Sequence, residues 1–282
     1  MAAKIIDGKR MADAILGEVE REVSSLHLKP CLAIVLVGDD PASQVYTKKK
    51  HDACARVGIE SRNIALPKSA KQAQVISEIR KLNSDREVDA ILVQLPLPDG
   101  IDEHAVLSSV ALDKDVDGFH QENFGKLALG SGALAPCTPK GVMHLLRESG
   151  VKVEGKNAVV IGRSRIVGKP LALLLLNAGA TVTVCHSRTK DLAMHTKNAD
   201  IICSAVGKPR LIRADMVKEG AVVIDIGTSK ENEKLTGDVD FEAVKQKASL
   251  LTPVPGGVGP MTIAMLVENT LLCHGNRKGK RA

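Results

Sequence analysis

Tryptophan is absent from this 282-residue chain, which holds one tyrosine and three phenylalanines. With 44% apolar residues, its interior has to be built from aliphatic side chains. The six cysteines include no C-x-x-C pair and no histidine at metal-ligand spacing beside them. They read as reduced thiols of a cytoplasmic protein, and no metal is expected. No apolar run approaches the roughly 18 residues of a membrane span, and the N-terminus lacks a hydrophobic signal segment. A membrane partner is therefore not expected. Internal repeats and low-complexity segments are also missing. The net charge of +6 comes partly from the tail Arg277–Arg281, which reads as frayed and solvated. So mild an excess does not call for a nucleic-acid partner, but it suits an anionic substrate and cofactor. The length is enough for two compact domains.

Of what is present, the stretch Val159–Pro170, VVIGRSRIVGKP, is the most informative. It reads as a buried strand, a glycine turn and the start of a helix that continues through the apolar Leu171–Leu176. The first turn of a helix leaves backbone N–H groups unpaired, and its dipole favours negative charge. Gly162 lets the chain turn tightly, and Gly168 lets strand and helix approach closely. A dinucleotide phosphate fits this geometry. An ordinary βα turn of a doubly wound sheet fits it too, because Ser164 stands where G-x-G-x-x-G has its second glycine. The next strand, Thr181–Cys185, ends at His186-Ser187-Arg188. An NAD site usually places Asp or Glu there. Ser187, Arg188 and the loop residue Arg163 are hydroxyl and cationic donors, which lean towards the 2′-phosphate of NADP. A lone arginine is more commonly a solvated surface charge.

The first half alternates strands and helices. Lys9–Ser25 has helical spacing of Met11, Ile15 and Val19. Cys31–Val37 and Asp89–Leu95 read as buried parallel strands, Arg62–Leu66 as another strand, and Lys71–Asn83 as an amphipathic helix. Ser43–Val57 reads as a helix that carries Ser43, Tyr46 and Lys50 on one face. Lys48 and Lys49 point elsewhere, into solvent. Y-x-x-x-K alone is a weak signal for catalysis, and a surface lysine beside a half-buried tyrosine accounts for it as well. Gln94 and the turn after Val37 lie at strand carboxyl ends, where ligands bind in open α/β sheets. Asp113, Asp115 and Asp117 alternate as in a calcium loop. Gly118 comes too early for one, and no downstream Glu is placed to complete it. An aspartate in this turn can take the N–H donors of a heterocycle, or simply stabilise the turn.

Downstream, Thr138-Pro139 reads as an N-cap and N1 proline opening a helix over 140–149. Strands are expected at Ile201–Ala205, Val222–Ile226 and Ser249–Leu251. Pro253–Pro260 packs three prolines and three glycines into eight residues. It serves either as a stiff linker or as backbone that approaches a flat ligand closely. A final helix is expected over Met261–His274.

Six segments, taken together, are specific. They are SQVYTKKK at Ser43–Lys50, VQLPLP at Val93–Pro98, DVDGFH at Asp115–His120, PCTP at Pro136–Pro139, GRSRIVGKP at Gly162–Pro170 and PVPGGVGPMT at Pro253–Thr262. In identity and order they resemble the bifunctional methylenetetrahydrofolate dehydrogenase/methenyltetrahydrofolate cyclohydrolase family of the FolD type, over nearly the whole chain. The resemblance implies an α/β fold of two αβα lobes around a cleft, the second a Rossmann-like nucleotide-binding domain. Residues 1–138 would form the folate-binding catalytic domain, completed by a C-terminal helix at 260–282, and 139–259 the NADP-binding domain. It implies oxidation of 5,10-methylenetetrahydrofolate by NADP+, then hydrolysis of the methenyl cation to 10-formyltetrahydrofolate. Lys50 would be the central acid/base, its pKa lowered by burial beside a cationic substrate. Gln94 would hydrogen-bond Lys50, and Tyr46 would stack on the aminobenzoyl ring and order Lys50. Asp117 would bind the pterin N–H edge, with Ser43 in support. Pro255, Gly256, Gly257 and Gly259 would wall the folate site. Gly162, Arg163, Ser164, Ser187 and Thr228 would bind the cofactor. Thr228 departs from the pattern, since many relatives carry an aliphatic residue there. The family also implies a homodimer. The rival readings are a monofunctional dehydrogenase of the same family, an NADP-dependent reductase of another small acid such as the shikimate or amino-acid dehydrogenases, and a nucleotide-sensing protein without catalysis.

Overall fold

The computed structural model describes residues 2–132, 134–231 and 234–279. In chain order the elements are β1 (Lys4–Ile5), α1 (Gly8–Ser24), β2 (Cys31–Val37), α2 (Pro41–Arg56), β3 (Glu60–Leu66), α3 (Gln72–Ser84) and β4 (Ala90–Val93). There follow α4 (Glu103–Leu107), α5 (Gln121–Ala128), α6 (Cys137–Glu148), β5 (Asn157–Ile161), α7 (Gly168–Asn177), β6 (Thr181–Cys185) and α8 (Leu192–Thr196). The chain continues with β7 (Ile201–Ser204), β8 (Val222–Asp225), β9 (Ser229–Glu231), β10 (Lys234–Thr236), α9 (Phe241–Lys245), β11 (Leu250–Leu251) and α10 (Val258–Gly279). No helix among the described residues is long and apolar enough to cross a membrane. The chain divides into two units. One comprises Asp13–Lys126, Gly132–Ala135 and Ile263–Ala282; the other comprises Met1–Ala12, Leu127–Ser131 and Pro136–Thr262.

The first unit is built on a parallel three-stranded sheet in the order β3-β2-β4. Its central strand, β2, is buried at every residue, which is why it reads as an unbroken apolar run. Cys31, Ala33, Val35 and Val37 pack with Val75, Ile79 and Leu82 of α3 and with Ile91 and Val93 of β4. Asp40 caps α2 by accepting from the Ser43 backbone N–H at 2.8 Å, and Pro41 opens the helix. The C-terminal part of α10 is tied into this unit. Asn269 Nδ2 donates to the Val116 carbonyl at 2.9 Å, His274 Nδ1 lies 2.9 Å from Asp89 Oδ2, and Arg277 Nη1 donates to Asp113 Oδ2 at 3.1 Å. Arg277 is therefore buried, which corrects its reading as part of a solvated tail. A carboxylate on each side makes that burial tolerable. Of the rest of that tail, residues 278–279 still belong to α10, and 280–281 lie outside the described residues. Lys114 is also wholly buried and donates to the Leu82 and Asp85 carbonyls at 2.7 and 2.6 Å.

The second unit holds a parallel six-stranded sheet in the order β1-β11-β8-β7-β5-β6. The chain leaves β5 through α7 to β6 on one side, then returns to β7 on the other. The order in which strands are added thus reverses at β5, and the carboxyl end of that strand is where ligands gather in such sheets. β1 extends this sheet by pairing with β11, so the first twelve residues belong to this unit. The expected cap at Thr138 is not formed. Pro136 holds the N-cap position of α6, whose first residue is Cys137, and Thr138 Oγ1 instead lies 2.8 Å from Thr262 Oγ1. A proline two residues earlier already sets the chain direction, so the hydroxyl is left for a tertiary contact.

Candidate functional site

In the three-stranded unit, Lys50 Nζ donates to Gln94 Oε1 at 2.8 Å. Lys50 lies on α2 and Gln94 follows β4 directly, with its own backbone N–H held by the Val35 carbonyl at 2.9 Å. The Gln94 amide nitrogen donates to the Leu95 carbonyl at 2.7 Å, so its oxygen is the atom turned to Lys50. Both side chains are partly buried. Ser43, one helical face with Lys50, is buried, and Tyr46 is 39% exposed. Lys49 Nζ sits 5.8 Å from the Tyr46 ring centroid. The lysine expected to point away thus lies over the phenol.

The aspartate turn separates into two roles. Asp115 forms a parallel bridge with Ile91 of β4, which carries the following residues towards the same strand end as Gln94. Its carboxylate accepts from the backbone of Phe119 (3.1 Å) and His120 (2.9 Å) and from Asn123 Nδ2 (2.8 Å). Burial pushes the pKa of Asp115 up, while these three donors pull it down. Asp115 therefore does the work of stabilising the turn, and Asp117, half-buried, stands beyond it next to the left-handed Gly118.

In the six-stranded unit, Gly162 follows β5 with φ +119°, and a Cβ there would come within 2.6 Å of the Ala205 carbonyl oxygen. A Cβ on Gly168 would strike the Gly162 carbonyl. Both glycines are thus obligatory for the turn, as their spacing suggested. Ser164 Oγ accepts from the Val167 and Gly168 N–H groups at 3.1 and 3.2 Å, so it caps the start of α7. Arg163 is exposed. Ile161 pairs with Cys185, and the Gly162 N–H donates to the Cys185 carbonyl at 2.8 Å, which sets the exposed Ser187 and Arg188 at the adjacent strand end. Their turn is shaped by the His186 N–H bonded to Thr189 Oγ1 (2.9 Å) and the Arg188 N–H bonded to His186 Nδ1 (3.1 Å). Thr228, exposed, follows β8. Pro255, Gly256, Gly257 and Gly259 all belong to this unit. The Lys9 N–H donates to the Gly256 carbonyl at 3.0 Å.

Two buried carboxylates in this unit went unremarked in the sequence, Asp225 and Asp238. Nothing in D-x-G or G-D-x-D marks an aspartate as buried. The Asp225 carboxylate accepts from the backbone of Asp238 and Val239 at 2.9 and 3.0 Å. Its burial, with the Asp238 charge beside it, pushes its pKa up to about 7. The folded state therefore holds the Asp225 proton more tightly than the unfolded chain. Stability from this group is complete below about pH 4 and is lost as pH rises towards about 7. At ~1.4 kcal/mol per unit the loss is on the order of 4 kcal/mol. Asp225→Asn removes this slope: urea midpoints of wild type should fall relative to the variant between pH 4.5 and 7.5, and parallel midpoints would show that Asp225 does not titrate there.

Residues 6–117 match the family model for the tetrahydrofolate dehydrogenase/cyclohydrolase catalytic domain, and residues 136–278 match its NAD(P)-binding domain. The bifunctional protein FolD of Moorella thermoacetica is 56% identical over 275 residues, covering 96% of this chain and 98% of its own. A bifunctional FolD methylenetetrahydrofolate dehydrogenase/cyclohydrolase from Campylobacter jejuni superposes with a TM-score of 0.95 at 50% identity, over 98% of this chain and 100% of its own. The dehydrogenase-cyclohydrolase of Trypanosoma brucei, solved with NADP and an inhibitor, gives a TM-score of 0.95 at 40% identity, with each chain covered in full.

Proposed function

Because the chain belongs to the tetrahydrofolate dehydrogenase/cyclohydrolase family, we propose that it oxidises 5,10-methylenetetrahydrofolate with NADP+ and hydrolyses the resulting methenyl cation to 10-formyltetrahydrofolate. The observation that carries the hydrolytic half is the Lys50–Gln94 hydrogen bond. Hydrolysis needs a group that takes a proton from water as it adds to the methenyl carbon, then returns one to N5 as the C–N5 bond breaks. Lys50 is that group. Gln94 suits it as a partner because its amide oxygen is uncharged. A carboxylate in its place would hold the proton on Lys50, whereas the amide fixes the position of the amine and leaves the proton exchangeable. Asp117 is proposed to take the pterin N–H groups, Tyr46 to stack on the aminobenzoyl ring, and Ser43 to pack beneath Lys50. The glycines of the Pro255–Gly259 segment are proposed to line the folate.

The residues present fit the cofactor. The turn at Gly162 and Gly168 is packed so closely on backbone that neither position has room for a Cβ, and the hydroxyl and cationic donors Ser187, Arg163 and Arg188 are exposed at neighbouring strand ends. We assign the pyrophosphate to Gly162 and Ser164, the 2′-phosphate to Arg163 and Ser187, and the nicotinamide side to Thr228. When bound, NADP+ supplies the hydride acceptor, and the protein contributes mainly alignment. The chain is further proposed to form a homodimer through the six-stranded unit, where β6 is an edge strand with Val184 39% exposed. Six buried thiols fit a cytoplasmic location.

An absorbance time course with 5,10-methylenetetrahydrofolate and NADP+ tests the proposal by following reduced cofactor and the methenyl chromophore together. NADPH forming with little methenyl accumulation is the expected result. NADPH with stoichiometric, persistent methenyl removes the cyclohydrolase. No reduced cofactor with either NADP+ or NAD+ removes the dehydrogenase.

A further inference from the structure

Asp238 is wholly buried, and its carboxylate is held by three donors with the Asp225 carboxylate nearby. Oδ2 accepts from Ser204 Oγ and from the Val206 backbone N–H, and Oδ1 accepts from the Lys208 backbone N–H, each at 2.8 Å. All three donors belong to the loop that leaves β7. The backbone of that loop is joined in turn to the end of β8, since the Ser204 carbonyl accepts from Ile226 and Gly227 N–H at 2.8 and 3.0 Å. A Cβ on Gly227 would strike the Asp238 carboxylate, so the glycine is what lets the carboxylate lie against the β8 loop. Asp225 grips the Asp238 backbone from the other side. The same 204–208 loop is what the nucleotide turn rests on: Ala205, between two of the residues held by Asp238, has the carbonyl that excludes a side chain from Gly162.

We infer that Asp238 is a positioning residue for the oxidative half of the reaction, fixing the 204–208 loop so that the Gly162 turn and the Gly227–Thr228 loop present one continuous cofactor surface. The inference rests on the proposed use of NADP+. A carboxylate is required because three donors converge on it. Asparagine would turn an NH2 group onto one of them and leave a buried donor unpaired, a loss on the scale of about tenfold or more in an equilibrium constant.

Asp238→Asn in the full chain tests this, with Ser204→Ala as a milder second variant that removes one bond and keeps the carboxylate. NADP+ binding is measured directly by calorimetry, beside steady-state NADPH formation and methenyl hydrolysis. Hydrolysis involves no hydride transfer, so it reports the fold and the Lys50 chemistry separately. Asp238→Asn is expected to raise the NADP+ Kd and KM about tenfold, with hydrolysis within about twofold of wild type, a split that general destabilisation does not produce. Unchanged cofactor affinity in a variant that still hydrolyses overturns the inference. Where Asp238→Asn loses hydrolysis as well, Ser204→Ala decides: a raised NADP+ Kd with normal hydrolysis supports the role, and an unchanged Kd overturns it. Wild-type protein that binds NADP+ without oxidising the folate defeats the proposed reaction and leaves the binding comparison to judge Asp238. Wild-type protein that binds no nicotinamide cofactor overturns both.

Discussion

Lys50→Met is expected to lower methenyltetrahydrofolate hydrolysis by about 10²–10⁴-fold, the range that a positioned acid/base contributes, while NADP+ affinity stays at the wild-type value. Methionine keeps the length and the apolar stem of lysine, so the packing of α2 is retained. What goes is the amine, and with it the donor to Gln94 Oε1. The amide then loses its charged donor, but its nitrogen remains tied to the Leu95 carbonyl, so the strand end is not released. Lys50 and the glycine turn belong to different units, which is why cofactor affinity is the internal control. Rates of decay of the methenyl chromophore, corrected for the uncatalysed reaction, measure the effect. Hydrolysis at the wild-type rate would take Lys50 out of the mechanism. A partial loss restored by Lys50→Arg would show that fixed charge, not proton exchange, is what the site uses, because arginine does not give up its proton.

The second large effect is expected at the other end of the chemistry. Gly162→Ala should weaken NADP+ binding by about 100-fold, ~2.7 kcal/mol. Two costs add. The residue sits at φ +119°, a region that an L side chain adopts only under strain of roughly 1–3 kcal/mol. The new Cβ also meets a backbone carbonyl, that of Ala205, which has no rotamer to move into. The turn relieves both by lifting away from the loop after β7, and binding the cofactor then requires driving it back. Methenyl hydrolysis should survive. Calorimetric titration of the variant with NADP+ measures the loss, and affinity within about threefold of wild type would mean that the phosphates do not lie on this turn.

Much of the framework was legible in the sequence where one local pattern decides the outcome. Cys31–Val37 forms β2 at the expected bounds, and Asn157–Ile161 followed by the helix from Gly168 is a strand, turn and helix as its glycines indicated. What stayed hidden depends on partners distant in the chain. β1 has two residues and exists because β11 pairs with it, so no periodicity announces it. The antiparallel pair β9 and β10, three residues a strand, was not expected either. Thr138 has the right residue type for a cap, but the preceding Pro136 takes the position. Three alternating aspartates do not reveal which of them turns inward; Asp115 does so because His120, Phe119 and Asn123 converge on it. The same holds for the site. Helical spacing put Ser43, Tyr46 and Lys50 on one face, but the contact between Lys50 and Gln94 joins residues 44 apart, and only the family resemblance brought them together beforehand. Asp238 and Ser204 are 34 apart, and no motif linked them.

The way the chain is shared between the units bears on its synthesis. The second strand sheet begins with Lys4 and Ile5, whose partners Leu250 and Leu251 come near the other end. The three-stranded unit needs His274 beside Asp89 and Arg277 between Asp89 and Asp113. A ribosome therefore has to pass Leu251 before β1 has its partner strand, and Arg277 before the three-stranded unit has these contacts. Asp89, which is buried, waits 185 residues for His274 and slightly longer for Arg277. A message truncated a few codons before Arg277 still encodes every residue of the six-stranded unit, which ends at Thr262, and withholds from the three-stranded unit the guanidinium that lies between Asp89 and Asp113.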